Sequence, residues 1–317
     1  MAWIFLVLLY GLLKGTREIA KKKAMLKNSV MEVLVTYTVI SFIFVIPQVK
    51  DAGGLELKYY FYIAIKSFAI FVAWICSFKS LKKLPVSLYG ILDLSRVLFA
   101  TFFGIVILGE VLTPLQAAGL IIVCAGLLLL KFKPPFLKKL FRIKDEIPAE
   151  KTESSSQSES DKNANDSIQQ IENQKKVNKT TIYVILALIS CMLNAVSGFL
   201  DKVLMKDMNS SQLQFWYMLF LVIYYLIYIL IKREKIHFSV LKNGWVWLLA
   251  IMFVIGDKAL FIANGMEGSR ITVMTLIKQA GCLVTILGGK FIFKEKNTGY
   301  RLFCAMIIIA GIVTGVI

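Results

Sequence analysis

Histidine is almost absent from this 317-residue chain: His237 stands alone in a basic stretch. Neither a histidine-based metal centre nor a Ser-His-Asp set is expected around a single imidazole. The five cysteines, Cys76, Cys124, Cys191, Cys282 and Cys304, lie inside apolar runs and form no CxxC pair. That spacing argues against a zinc site or a disulfide framework. No phosphate-binding loop is present, because Gly288-Gly289-Lys290-Phe291 lacks both the upstream glycine and the hydroxyl. ATP-driven pumping is therefore not expected, no motif calls for a cofactor, and the reading is of a protein that is not an enzyme. Charge is scarce too. Only 18% of residues are charged, against 57% hydrophobic, and the mean hydropathy of +0.70 lies outside the soluble globular range.

What the chain has instead is apolar length. Ten runs of about twenty residues can be marked, each long enough to cross a hydrocarbon core about 30 Å thick. The expected class is an all-α membrane protein with ten transmembrane helices. They are placed at 2–22, 29–48, 59–79, 86–108 and 113–131, then 181–201, 211–231, 243–263, 269–290 and 298–317. The first eleven residues lack the basic segment and small-residue cleavage site of a secretory signal, so they are read as a retained helix. The net charge of +17 comes from lysines and arginines gathered between apolar runs, where lipid headgroups explain them and nucleic acid is not needed.

Residues 132–178 differ from the rest. Their centre, Lys151 to Asp166, is polar and serine-rich, with too little aliphatic content to fold. The start of the segment, Phe136, Leu137, Leu140 and Phe141 among Lys138, Lys139 and Arg142, suits either an amphipathic helix on headgroups or a solvated basic linker. The expected division is a first five-helix unit at 1–131, a linker at 132–178 and a second five-helix unit at 179–317.

The two units align. Placing Glu110 on Glu295 puts Ala125-Gly126 on Ala310-Gly311 and Ser87 on Thr272, at an offset of 185 residues. Lys22 falls on Lys202 at an offset of 180, and Asn28-Ser29 on Asn209-Ser210 at 181. Five helices per unit insert the halves upside down relative to each other, which predicts two inverted repeats. Lysine and arginine number 27 in the segments after odd-numbered helices and about five on the other side, so the positive-inside rule puts the linker in the cytoplasm and both termini outside.

The stretch from Leu108 to Ile121, with Gly109, Glu110, Gln116 and Gly119, followed by Gly126, resembles the end of the EamA-type repeat of the drug/metabolite transporter superfamily. Phe293-Lys294-Glu295 with Ala310-Gly311 resembles a second, weaker copy. The resemblance covers nearly all of the chain outside the linker. It implies a transporter of ten helices in two inverted repeats, and family members commonly keep both termini in the cytoplasm, opposite to the charge-based orientation followed here. Val97 and Cys282 stand where family members often carry proline, so the pocket shape is not inherited from the resemblance.

Ionisable residues inside the membrane each need a partner, a wet cavity or a function. Met1 to Leu13 gives only about 20 Å of helix, so Lys14 must lie within the membrane, on a face with Tyr10, Arg17 and Glu18. It can snorkel, pair with Glu18 or serve a solute. Tyr89, Asp93 and Arg96 share a face in the fourth helix, and Lys278 with Gln279 lies in the ninth. Asp93 and Lys278 are equivalent under the 185 offset, so they either pair with each other, or Asp93 pairs with Arg96 and leaves Lys278 for an anionic solute group. Lys66 and Lys258 are further cations, Asp257 points about 100° away from Lys258, and Asn194 falls opposite Lys14. Among the tryptophans Trp74 is the pocket-wall candidate. Glu32 sits where a carboxylate favours a helix N-terminus, and Gly11-x-x-x-Gly15 and Gly311-x-x-x-Gly315 read as helix-packing faces.

These residues predict a secondary transporter that moves a small polar metabolite by alternating access, with coupling to protons open and the molecule a monomer or homodimer in the plasma membrane. Export of an amino acid or organic acid is implied by the resemblance alone. The alternatives are an exchanger of phosphorylated or nucleotide-linked anions, supported by the cation excess, and a membrane scaffold acting through its linker.

Overall fold

The computed structural model describes residues 2–107, 109, 113–132, 162–234, 236–279, 281–295 and 297–316. All regular structure among them is helical. Helix α1 runs Ala2–Ala24. Helix α2, Val30–Val45, starts at a capping box in which the Ser29 hydroxyl accepts from the Glu32 amide and the Glu32 carboxylate accepts from the Ser29 amide. A 3-10 turn, Ile46–Asp51, closes it. Helix α3 spans Leu57–Lys83 and stops where Pro85 forbids continuation. Helix α4, Val86–Leu92, passes through a 3-10 turn at Asp93–Ser95 into α5, Arg96–Val106. Helix α6 is Pro114–Phe132 and α7 is Lys162–Leu204. Helix α8, Ser210–Lys232, opens at a second capping box, Asn209 with Gln212, and ends at Arg233 with φ 51°. After a 3-10 turn at Phe238–Lys242 come α9, Gly244–Gly265, α10, Ile271–Lys278, α11, Gly281–Phe291, and α12, Thr298–Val316.

Seven of these segments are long and apolar enough to cross a membrane, and Pro114–Gly126 and Gly281–Phe291 are shorter apolar helices. Helix α1 is not among the seven because Lys14, Arg17 and Glu18 interrupt its apolar run. The outward faces are rich in large apolar side chains, among them Phe61, Ile65 and Phe68 on α3 and Leu226, Leu230 and Ile231 on α8. Such a continuous apolar exterior fits lipid and not water.

Two expectations about helices change. The spans expected at 86–108 and 269–290 are each broken: one at Asp93–Ser95, the other between Lys278 and Gly281, where the Cys282 amide reaches the Gln279 carbonyl at 2.8 Å in a tight turn. At the first break the Asp93 carboxylate is held by Lys14 and Arg96, and short 3-10 stretches inside helices often mark such special sites. The segment 132–178, expected to be too polar to fold, is helical from Lys162, where a run free of proline and glycine extends the span behind it. The amphipathic stretch expected at 136–142 lies outside the described residues.

The halves interlock. Helix α1 packs on α9, α10 and α11 of the second half, and α7 packs on α3 and α5 of the first. Glycine permits the closest crossing: a Cβ at Gly15 would collide with the backbone of Gly281, and one at Gly119 with the backbone of Gly311 and Gly315. Both small-residue faces read from the sequence thus act as packing faces. Beside the α1 crossing lies an aromatic core in which Tyr37 stacks on Phe78 at 5.7 Å and meets Phe253 edge-on at 5.9 Å.

Candidate functional site

A cavity of about 80 Å³ opens where α1, α3, α7, α9 and α10 converge. Helix α1 supplies Tyr10, Lys14, Arg17, Glu18 and Lys21 at spacings of three and four, one face of a helix. Helix α3 adds Lys66 and Trp74, α4 and α5 add Tyr89 and Arg96, and α7 adds Asn194, Ser197, Gly198 and Asp201. Phe253, Asp257, Leu260 and Phe261 of α9, Ile271, Thr275 and Lys278 of α10, Tyr37 of α2 and Tyr217 of α8 also line it.

Most of the charges are matched. Asp93 receives Lys14 on one carboxylate oxygen and Arg96 on the other, the latter at 2.8 Å. Arg17 lies 3.3 Å from Asp257, with its guanidinium over the rings of Tyr10 and Phe253 at 5.3 and 5.2 Å. Lys21 pairs with Glu18 at 2.6 Å, and Lys66 lies 3.1 Å from Asp201 and 3.6 Å above the Tyr217 ring. Buried ions cost several kcal/mol each unless paired, and each of these pairings meets that need. Lys278 is different: it is 7% exposed, it lines the cavity, and no carboxylate stands within ion-pair distance among the described residues. Its nearest ring is Tyr10, at 5.8 Å.

Nine sequence-predicted site residues line this cavity: Tyr10, Lys14, Lys66, Trp74, Tyr89, Arg96, Asn194, Asp257 and Lys278. Asp93 and Gln279 sit behind Lys14, and the Gln279 side-chain oxygen is 3.5 Å from its ammonium. Of the pairings open from sequence, Asp93 takes Arg96 and not Lys278, and Glu18 takes Lys21 and not Lys14. Lys258 is a correction. Its ammonium donates to Gln48 at 3.0 Å and Ser211 at 2.8 Å, away from the cavity, because one helical step turns it about 100° from Asp257. Glu32 caps α2 and also lies 2.7 Å from the His237 ring.

Sequence reasoning missed Asp201, Lys21, Tyr217, Gly198 and Thr275. Asp201 had a usable signal: its apolar run continues to Leu204, which draws the carboxylate inside the span.

The described motif residues hold the frame and are not among the residues that line the cavity. Gly109 adopts φ 66°, and the Thr113 and Gln116 side chains cap each other's amides at 3.1 and 3.2 Å. Gly126 faces Ile308. Glu110 lies outside the described residues. Glu295 accepts from the Val86 amide at 2.6 Å and the Ser87 amide at 3.2 Å, and pairs with Arg301 at 3.0 Å. It therefore supplies an anion to the buried amides at the start of α4, which have no intrahelical partner. Glu295→Gln is expected to lower unfolding free energy by about 2 kcal/mol; thermal unfolding in detergent checks it, and an unchanged midpoint would remove the capping role.

The EamA-like transporter family matches residues 1–132 and 181–316, and the chain belongs to that family. It is an integral membrane protein of a family of transporters, not of enzymes. No curated protein matches it. One solved crystal structure, 13% identical, has the same fold, with a TM-score of 0.65 over 99% of this chain and 98% of that one.

Proposed function

We propose that the protein is a secondary transporter whose ten membrane-crossing segments form two inverted repeats around the charged cavity. The observation that carries this reading is the cavity itself: both halves contribute ionised side chains to it, and both broken helices border it. Interrupted helices at matched places of two repeats are a recurrent way to build a midplane solute site. Three local matches support the repeat. The capping boxes at Ser29/Glu32 and Asn209/Gln212 are 180 residues apart. Lys22 donates to the Leu84 carbonyl and Lys202 to the Asn264 carbonyl, and each pair is separated by 62 residues. The breaks at Asp93 and after Lys278 agree with the 185 offset.

The solute is a small polar metabolite, such as an amino acid or organic acid, exported as the halves rock about the cavity. Saturable uptake by proteoliposomes, screened with labelled amino acids, phosphorylated metabolites and cationic dyes with and without a pH gradient, tests transport and proton coupling. No uptake of any class would overturn the reading. An exchanger of phosphorylated anions is the second reading, favoured by six cavity cations, Lys14, Arg17, Lys21, Lys66, Arg96 and Lys278, against three lining carboxylates, Glu18, Asp201 and Asp257, with Asp93 behind them. A scaffold acting through its linker would keep its activity after neutral replacement of Asp93 and Lys278.

The protein lies in the plasma membrane with residues 132–178 in the cytoplasm and both termini outside. A cysteine placed at Ser155 is expected to resist a membrane-impermeant maleimide in intact cells and to react after lysis. Labelling from outside would reverse the orientation.

A further inference from the structure

Charge and space in the cavity together narrow the solute, an inference that rests on the transport reading above. Each carboxylate at the cavity is already matched to a cation, and Asp93 holds two. Lys278 is the cavity ammonium left without one among the described residues, although it is more than nine-tenths buried. One negative charge brought in by a solute would complete it. The six cavity cations outnumber the three lining carboxylates and Asp93, so a solute cation would meet like charge. Thr275, one turn before Lys278 on the same face of α10, adds a hydroxyl to that wall.

Volume sets the second limit. About 80 Å³ is several times the space that one water molecule needs, which suits a small solute. Elsewhere in the same lining, α7 presents Gly198 between Asn194 and Asp201 on one helical face. A Cβ built on Gly198 meets no heavy atom within 4 Å. Glycine at this position is thus not required by packing, and its missing side chain leaves room in the cavity.

We propose that Lys278 seats the single carboxylate of the transported solute and that Gly198 sets the size of solute admitted. The test uses the full chain in proteoliposomes with four labelled probes of similar size, propionate, alanine, glycerol and propylammonium, plus the bulkier dianion glycerol phosphate. Propionate and alanine should be taken up by the wild type, and the other three should not. Lys278→Met should reduce carboxylate uptake by about tenfold or more, the loss expected when a charge-assisted hydrogen bond to the solute is removed. Lys278→Arg should restore part of it, which a purely structural role for this side chain would not require. Gly198→Leu should elute as the wild type does on size exclusion and lose uptake of alanine before propionate.

Glycerol or propylammonium entering as fast as propionate would overturn the inference in the wild type alone, whether or not any variant folds. Carboxylate uptake unchanged in Lys278→Met, or alanine uptake unchanged in Gly198→Leu, would overturn the corresponding half. A wild type that moves phosphorylated metabolites or dyes but neither carboxylate sinks the inference and leaves transport standing. One that moves no solute of any class sinks the transport reading itself.

Discussion

Asp93→Asn is expected to cost about 3–5 kcal/mol of stability, the largest loss for any single charge at the cavity. Asp93 is the shared partner of Lys14 and Arg96, and its side chain is only 8% exposed. Removing its charge leaves two buried cations facing each other without a counter-ion. The reverse deletion is milder. In Lys14→Met the carboxylate keeps Arg96, and the loss should be about half as large or less. Unfolding followed by intrinsic fluorescence in detergent separates the two variants. Equal losses would mean that Lys14 and Arg96 do not share the carboxylate in the way the geometry indicates. Uptake should vanish in Asp93→Asn at temperatures where the protein is still folded, because Lys14 would then be free to capture the solute anion.

The second large effect concerns shape alone. Gly281→Val should destabilise the protein by about 3 kcal/mol or more, because a Cβ there would collide with the Gly11 carbonyl and lie 3.1 Å from the Gly15 amide. Both neighbours are helix backbone, which cannot turn aside as a flexible side chain can. The control is Gly53→Val, at an exposed site where a Cβ meets nothing within 4 Å, and its expected change is within about 0.5 kcal/mol. If the two glycine variants unfold at the same midpoint, the close crossing of α1 over the break between α10 and α11 is not what holds these helices together.

Much of the frame was legible because apolar run length is a strong signal in a membrane protein. The span expected at 298–317 is helical over Thr298–Val316, and that expected at 243–263 over Gly244–Gly265. That α1 continues past a buried Lys14 followed from helix length, and the Asp93–Arg96 pair from three-residue spacing. The helix breaks were not legible, since the polar residues at them, Asp93, Arg96, Lys278 and Gln279, were read as charges and amides inside continuous helices, and hydropathy does not register a change from α to 3-10 geometry. Long-range pairing was hidden for another reason. Arg17 and Asp257 each read as a charge in need of a partner, but no spacing links residues 240 apart. Asp257 and Lys258 show the converse limit: adjacent in sequence and alike in burial demand, they face different surroundings, and only packing decides which meets the cavity.

The interlocking of α1 with the second half also bears on biosynthesis. Arg17 leaves the ribosome 240 residues before Asp257, its counter-ion. At about 5–20 residues per second, that interval is about 12–50 s. Throughout it α1 must wait at the insertion machinery or the bilayer surface with its guanidinium unmatched, so the pairing that ties α1 to the second half is a late event that follows synthesis of α9.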